Sequence, residues 1–509
     1  MTRHALGATA LLVAAGSLIP LVYLVIRAFE RGPDPVIALL TRPRTAELAL
    51  ATVVLVVIVT ALSMVVGVAL AWLTTRTDLP GRRGWAIALA APLAIPSYVS
   101  GYVWIADFAA LAGLPGAVLV LTTACYPLVM LPVAAALSTG DAGTVDVART
   151  LGHSVLRTTL TVEMRRVWPA AAAGGLLAAL YTMSDFGAVA LMRYEAFTIG
   201  VYSAYRGGFD RTAAAVLGMI LVVLAVSVTL LERRVRRGAT ARVGSGVDTY
   251  LAPITLRGMR SPALLVVVSV VAVGVIYPAV GLVGWMVRSL RRSLDVADVL
   301  ATTAATVQLS AIAAIVVAVL AFPVALFAAR STSTAARFAE SATYVAHGLP
   351  GITIALAMVF VGIRLLPGVY QTQGLLIIAY AVLFLPLAVG STRAAIAASP
   401  VALEEVSRTL GRGGLSTTLR VTLPIAAPGM IAGAALVFVT VAKELPATLM
   451  LRPRGVDTLA TELWSTTQVL RYGEAAPYAL ALIAVSAVPT LLLTRVMTPP
   501  VHRARELRP

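Results

Sequence analysis

The chain has 509 residues, of which 59% are hydrophobic and 12% charged, with a mean hydropathy of +0.91. A soluble chain of this length must cover its surface with far more charge, so lipid has to solvate most of it. The formal net charge of +17 and pI of about 10.7 would suggest a nucleic-acid partner in a soluble protein. In a chain this apolar they fit basic residues gathered in cytoplasmic loops instead.

Arg3 and His4 precede an apolar run over 5–26, as in a signal sequence. The flank that follows holds Arg27, Glu30 and Arg31 in place of a small-residue cleavage site, so the run reads as an uncleaved first span. A spanning helix needs about 20 mostly apolar residues. Such stretches fall at 6–26, 47–73, 85–108, 115–137, 167–191, 212–232, 262–286, 303–328, 339–363, 374–395, 425–450 and 477–497. Proline and glycine interrupt several, as in APLAIPSYVSG at 91–101, which is tolerated where neighbouring helices satisfy the freed backbone groups. Between the sixth and seventh spans, 233–261 is basic and carries Gly and Ser, the composition of an exposed linker. The expected organisation is a first six-helix half over 1–232, a cytoplasmic linker over 233–261 and a second six-helix half over 262–509.

Alternating the spans from a cytoplasmic N-terminus places 25 of the 39 arginines inside and 14 outside, with ten acidic residues inside and eleven outside. The inner segments then hold a net +15 against +3, and both termini are expected to face the cytoplasm. The single cysteine, Cys125, excludes an intramolecular disulfide, and His4, His153, His347 and His502 are too dispersed to suggest a metal cluster.

The two halves repeat. DVARTLG at 146–152 follows the fourth span, and EVSRTLG at 405–411 follows the tenth, 259 residues later. The same offset carries Pro169 onto Pro428 and Asp185 onto Glu444; upstream, an offset of 254 carries Arg76 onto Arg330 and Pro96 onto Pro350. Six-span repeats in the same order are parallel and related by an axis along the membrane normal. The predicted fold is therefore all-α: a polytopic membrane protein of twelve transmembrane helices in two parallel six-helix repeats with pseudo-twofold symmetry.

In the second loop a short helix begins near Glu405 and ends at Gly411, whose freedom to adopt positive φ permits a sharp turn. A second element, broken by Pro424, is expected to lead back into the membrane. The product is a compact knob, or alternatively an amphipathic loop lying on the membrane surface. Glu405, Ser407, Gly411, Val421, Leu423 and Pro424 resemble the EAA loop of ABC importer permeases, with Ser407 replacing an alanine. In the first copy Asp146, Ala148, Gly152 and Val162 fit, but Met164 and Arg165 stand at the Leu-Pro positions. The resemblance implies that each knob docks in a cleft of an ATPase subunit. It further implies two such ATP-binding subunits and an extracytoplasmic substrate-binding protein as partners.

Such a chain would be no enzyme and would hold no cofactor or resident metal, ATP being bound by the partners. Its only lysine, Lys443, lies in AKELPA without a glycine-rich loop, so no Walker A motif is present.

Asp185 and Glu444 are ionisable residues inside apolar spans, which are costly and usually functional. From Pro169 to Asp185 is 16 residues, roughly 24 Å of helix, which places the acids toward the outer end of their spans. They are expected to line the translocation path or its gate, with Lys443 beside Glu444; the alternative is an ion pair that only fixes helix packing. AKELPATLMLRP at 442–453, VDTLATELW at 456–464 and SDFGAV at 184–189 resemble the ferric iron permease subfamily, implying ferric iron as cargo. Fused permeases for thiamine or phosphonates, and a secondary transporter driven by an ion gradient, remain as alternatives.

Overall fold

With no water in the bilayer core, each span must satisfy its backbone within itself, and the apolar runs do so as helices. The computed structural model describes residues 3–138, 147–207, 210–240, 253–290, 295–347 and 349–497. In chain order the helices are α1 (Arg3–Phe29), α2 (Pro33–Leu40), α3 (Pro43–Arg76), α4 (Arg82–Ala90), α5 (Ser97–Asp107), α6 (Leu114–Ser138), α7 (Met164–Ser184), α8 (Gly187–Leu191), α9 (Phe197–Arg206), α10 (Arg211–Thr240), α11 (Arg260–Val271) and α12 (Tyr277–Leu290). They continue with α13 (Val296–Arg330), α14 (Thr334–His347), α15 (Gly351–Arg364), α16 (Gln373–Ala397), α17 (Ala402–Thr409), α18 (Leu423–Ala442), α19 (Pro446–Leu451), α20 (Leu459–Gln468) and α21 (Tyr472–Met497).

Among the described residues, nine helices are long and apolar enough to cross a membrane. The stretch expected as one span over 85–108 is instead two helices meeting at 88°, broken ahead of Pro96. The stretch over 339–363 is likewise divided between α14 and α15. A proline lacks the N–H that would bond back into the preceding turn, so a helix restarts at each of these sites.

The helices form two compact units. One comprises Met1–Pro33, Arg211–Met219 and Ser289–Pro509; the other comprises Asp34–Asp210 and Ile220–Arg288. Each unit thus takes its first span from the opposite half of the sequence: α1 packs on α13, α14 and α15, and α11 packs on α4. Three helices form the same centre in each. In one unit α3 packs on α6 and α7, which also meet each other; in the other α13 packs on α16 and α18, which do likewise.

The repeat holds at the level of helix ends. Leu114–Ser138 and Gln373–Ala397 stand 259 residues apart at both ends, and so do the π-helical turns Thr159–Glu163 and Thr418–Thr422. Glycines at the same repeat position let the central helices approach. A Cβ on Gly174 would lie 2.7 Å from the Leu128 carbonyl oxygen, and one on Gly433 would lie 2.3 Å from Ser391 Oγ. Small residues at such crossings allow the close backbone packing on which helix association in lipid depends.

The end of the expected linker is ordered in its own unit. Ile254 N–H donates to the Arg76 carbonyl at 2.7 Å, and Asp78 N–H donates to the Ile254 carbonyl at 3.1 Å. Asp78 Oδ1 accepts from Leu256 N–H at 2.9 Å, and its other oxygen pairs with Arg260.

Candidate functional site: the paired knobs

In the second copy, α17 ends in a Schellman turn. Gly411 has φ of +79°, its N–H donates to the Arg408 carbonyl, and Arg412 N–H reaches back to the Ser407 carbonyl. The first copy closes in the same way: Gly152 has φ of +82°, its N–H donates to the Arg149 carbonyl, and His153 N–H donates to the Ala148 carbonyl. Asp146 lies outside the described residues.

The returning arm differs from expectation. Pro424 does not break it: helix runs from Gly414 to Ala442, with the proline in the first turn of α18 just after the π-helical turn. The π-helical turn immediately before it shifts the backbone ladder, an adjustment by which a spanning helix accommodates the N–H that a proline lacks. Arg165 occupies the equivalent position behind the same π-helical turn, so the first copy reaches this geometry without the Leu-Pro pair.

The two faces of each knob have different chemistry. On the inward face, Glu404 and Ser407 are buried, and the Ser407 and Thr417 hydroxyls hydrogen-bond across the two arms at 3.1 Å. On the outward face Leu403, Val406 and Leu410 are exposed at helical spacing, joined by Leu415 and Leu419 from the other arm. Val147, Leu151 and Leu160, at the repeat positions of Val406, Leu410 and Leu419, are exposed in the first copy. Glu405 is also on the exposed side, whereas Ala148 is buried and Val162 and Val421 are half-buried in both copies. Exposed apolar patches rimmed by polar residues mark contact sites for proteins or for the membrane surface.

The buried charges were not among the residues picked out in the loops. Arg76 Nε and Nη2 donate to Glu163 Oε1 at 2.9 and 2.5 Å, with only 4% and 6% of the two side chains exposed. Arg330 Nε donates to Glu404 Oε1 at 2.9 Å, and its Nη2 donates to the Ser399 carbonyl at 3.3 Å. The match of Arg76 to Arg330 in the repeat was the available signal, because a charge recurring at one register needs a partner in each copy.

The intramembrane acids occupy equivalent breaks. Asp185 lies between α7 and α8; Oδ1 accepts from the N–H groups of Ala188 at 2.9 Å and Val189 at 3.3 Å, and Oδ2 accepts from Ser97 Oγ at the start of α5. Glu444 lies between α18 and α19, and its Oε1 accepts from Ala447 N–H at 3.1 Å. A Cβ on Gly351, the first residue of α15, would lie 3.1 Å from that same oxygen. Each carboxylate therefore caps one short helix and abuts the start of another, satisfying donors that a helix N-terminus leaves open. Lys443 is half-buried beside Glu444 at the end of α18. A polar recess of about 200 Å³ lies near the start of α13, lined by Asp298, Gln308, Gln373 and Asp457 among others. Its two carboxylates are engaged, Asp298 by the Tyr478 hydroxyl and Asp457 by Arg452.

Comparison with known proteins places this architecture. Residues 321–499 match the family described as the binding-protein-dependent transport system inner membrane component. Over 489 residues the chain is 31% identical to the Fe(3+)-transport system permease protein FbpB 2 of Haemophilus influenzae, covering 95% of this chain and 97% of that protein. The chain belongs to the binding-protein-dependent ABC transport permeases. Shorter stretches are similar to other members of this family. The sulfate transport system permease protein CysW of Escherichia coli K12 is 34% identical over 88 residues, 17% of this chain and 30% of that protein. The molybdate/tungstate permease protein WtpB of Pyrococcus furiosus is 27% identical over 186 residues, 36% of this chain and 75% of that protein. As an ABC permease the chain is a multi-pass membrane component and no enzyme. Permeases of this family work with ATPase and substrate-binding protein partners, and the duplicated knobs fit the first of these roles.

Proposed function

We propose that this permease carries ferric iron across the inner membrane into the cytoplasm, driven by two ATPase subunits, one on each knob. The observation that carries the coupling role is the duplicated knob. Two Schellman-capped turns at one repeat register present the same three apolar residues outward, and a permease without a nucleotide site must receive its work through such a surface. The knobs and both chain termini face the cytoplasm in this reading, which the arginine bias favours. The ATPase-coupling loops comprise Asp146, Ala148, Gly152 and Val162 in one copy and Glu405, Ser407, Gly411, Val421, Leu423 and Pro424 in the other, with the buried Ala148 and Ser407 supporting the face that docks. In sequence order the halves are 1–232 and 262–509, joined by the cytoplasmic linker 233–261. Asp185, Glu444 and Lys443 stand at the gate end of the path, where the two acids hold the helix breaks that shape it.

The cargo assignment rests on the near full-length similarity to FbpB 2 and on the runs at 184–189 and 442–464. Radiolabelled ferric iron uptake in a strain deleted for this chain tests it, with sulfate, molybdate and thiamine measured in parallel. Loss of iron uptake alone, restored by the intact chain, is the expected result. Loss of one of the other solutes with normal iron uptake overturns the cargo. Uptake without any ATPase subunit overturns the energy source.

A further inference from the structure

We infer that an arginine–acid pair in each unit, buried in the first copy and part-buried in the second, is the mechanical link between the knob and its long central helix, and that the two copies build this link with the acid on opposite arms of the knob. The inference rests on the ATPase-docking reading above and concerns what lies behind the docking face.

Arg76 is the last residue of α3, and Arg330 is the last residue of α13. Both helices are at the centre of their units, packed on the two other central helices. In the first copy the acid is Glu163, at the end of the π-helical turn on the returning arm. In the second it is Glu404, on the outgoing arm. The repeat shows the exchange. The position of Glu163 is taken by Thr422 in the second copy, and the position of Glu404 is taken by Val145 in the first. Among the described residues each arginine therefore pairs with one carboxylate, and Glu404 also accepts from Arg408 Nη2 at 3.4 Å through its other oxygen. The two positions converge on the same place, because Thr422 Oγ1 donates to Glu404 Oε1 at 3.3 Å, the oxygen that Arg330 Nε holds. Two arrangements of the acid keeping one arginine in one register is what a required contact leaves behind.

Burial stiffens the link, most in the first copy, where the two side chains are 4% and 6% exposed against 16% and 8% for Arg330 and Glu404. A buried charge that loses its partner is left uncompensated, so the pair resists separation far more than an exposed one. Glu163 Oε2 is buried with no partner among the described residues, so Arg76 is the only charged group holding this carboxylate there. When a bound ATPase subunit shifts the outward face of a knob, the arm bearing the acid carries the arginine and the end of the long helix with it. Movement of that helix is movement of the transmembrane core. Arg76, Arg330, Glu163 and Glu404 are thus positioning residues for coupling; none is required to touch the cargo or ATP.

The test uses the whole importer, with the chain, its ATPase subunits and its binding protein in proteoliposomes. Ferric iron transported and ATP hydrolysed are measured on the same preparation. Coupling free energies in allosteric proteins correspond to factors of about 5 to 150. Glu404→Gln is therefore expected to lower iron transported per ATP by roughly tenfold while the ATPase subunits still co-purify. Adding Thr422→Glu to Glu404→Gln places the acid where the first copy has it, and is expected to restore the ratio. An unchanged ratio in Glu404→Gln overturns the inference. So does an assembled double variant that stays uncoupled, and so does failure of both variants to assemble, which would make the pair a folding element only. Failure of the docking reading looks different: the unaltered chain would bind no ATPase or transport nothing.

Discussion

Leu410 and Leu151 occupy the same position on the two knobs, and the two residues are 72% and 73% exposed. If an ATPase cleft covers them, that surface leaves water on binding. Fully burying a leucine side chain contributes about 1.5–3 kcal/mol, so the exposed share is worth ~1–2 kcal/mol at each site. Leu410→Ala removes most of that surface and should weaken ATPase binding roughly 5- to 30-fold. With both copies altered, and each acting independently, each site weakens by that same factor, and the loss summed over the two bound subunits approaches ~2–4 kcal/mol. Because these side chains point away from their own unit, the fold should be untouched. The assay is titration of purified ATPase subunit onto the permease in lipid nanodiscs, with thermal stability measured alongside. Val223→Ala is the control, since Val223 on α10 is 59% exposed but far in sequence from either knob. An affinity for Leu151→Ala/Leu410→Ala within twofold of the unaltered chain, at normal stability, refutes the assignment of this face.

Three further outcomes follow from the packing and the caps. Gly174→Leu and Gly433→Leu each drive a side chain into a neighbouring helix at a contact already below 3 Å, so each should cost at least ~1–3 kcal/mol, seen as a lower thermal transition in detergent. Asp185→Asn keeps an oxygen to accept from Ala188 N–H and should preserve stability, whereas Asp185→Ala should lose ~0.5–2 kcal/mol of cap. Normal iron uptake by both Asp185→Asn and Glu444→Gln at normal expression would remove these acids' charge from the transport path. Asp78 is outside the spans, and the Arg260 guanidinium, followed by the Leu256 N–H, holds its carboxyl below the ordinary carboxylate range. A depressed folded value means that the contribution is fully present above the unfolded value of about 3.9 and is lost only as pH falls through the folded one. Protease resistance at 253–260 should therefore be flat between about pH 5 and 8, and Asp78→Asn should reduce it across that range.

The helical class, the repeat and the knobs were legible because each has a local cause. Apolar runs force helices in lipid, and Gly152 and Gly411 mark a turn that needs positive φ. The offset between repeats even fixes the helix ends to a residue in α6 and α16. The breaks ahead of Pro96 and Pro350 were harder to read, because hydropathy averages over a bend that a single proline decides. Glu163 and Glu404 escaped for another reason. They are not repeat equivalents, so a search for matching residues passes over them, and only the three-dimensional return of each loop to Arg76 or Arg330 brings them together. Pro424 was misread because the π-helical turn ahead of it, which no single residue announces, lets the helix continue through the proline.

The crossing of the first spans has no local signature at all, since a loop's sequence does not say which surface its helix will choose. It has a physical one. Gly7, Ala10, Ala14, Ser17, Leu24 and Ala28 are buried along one face of α1, a stripe of mostly small residues that lets α13, α14 and α15 approach closely. The far ends add a weaker electrical preference. Glu30 after α1 lies 3.5 Å from Arg364 at the end of α15, while Arg288 on α12 lies 3.9 Å from Asp107 at the end of α5. The polarity is reversed between the pairs, so uncrossed spans would set acid toward acid and arginine toward arginine. Exposed pairs of this kind contribute only ~0–1 kcal/mol, so the small-residue stripe must carry the choice and the charges refine it. Each unit then contains spans from both halves of the sequence, so each is built from both pieces of a chain divided between 240 and 253. Co-expressed fragments 1–240 and 253–509 should co-purify through a tag on either one, and Ala14→Trp should lower the recovery by wedging the stripe while α11 still packs on α4. If the intact fragments part in mild detergent, the first spans are held by the linker and not by the surfaces they pack against.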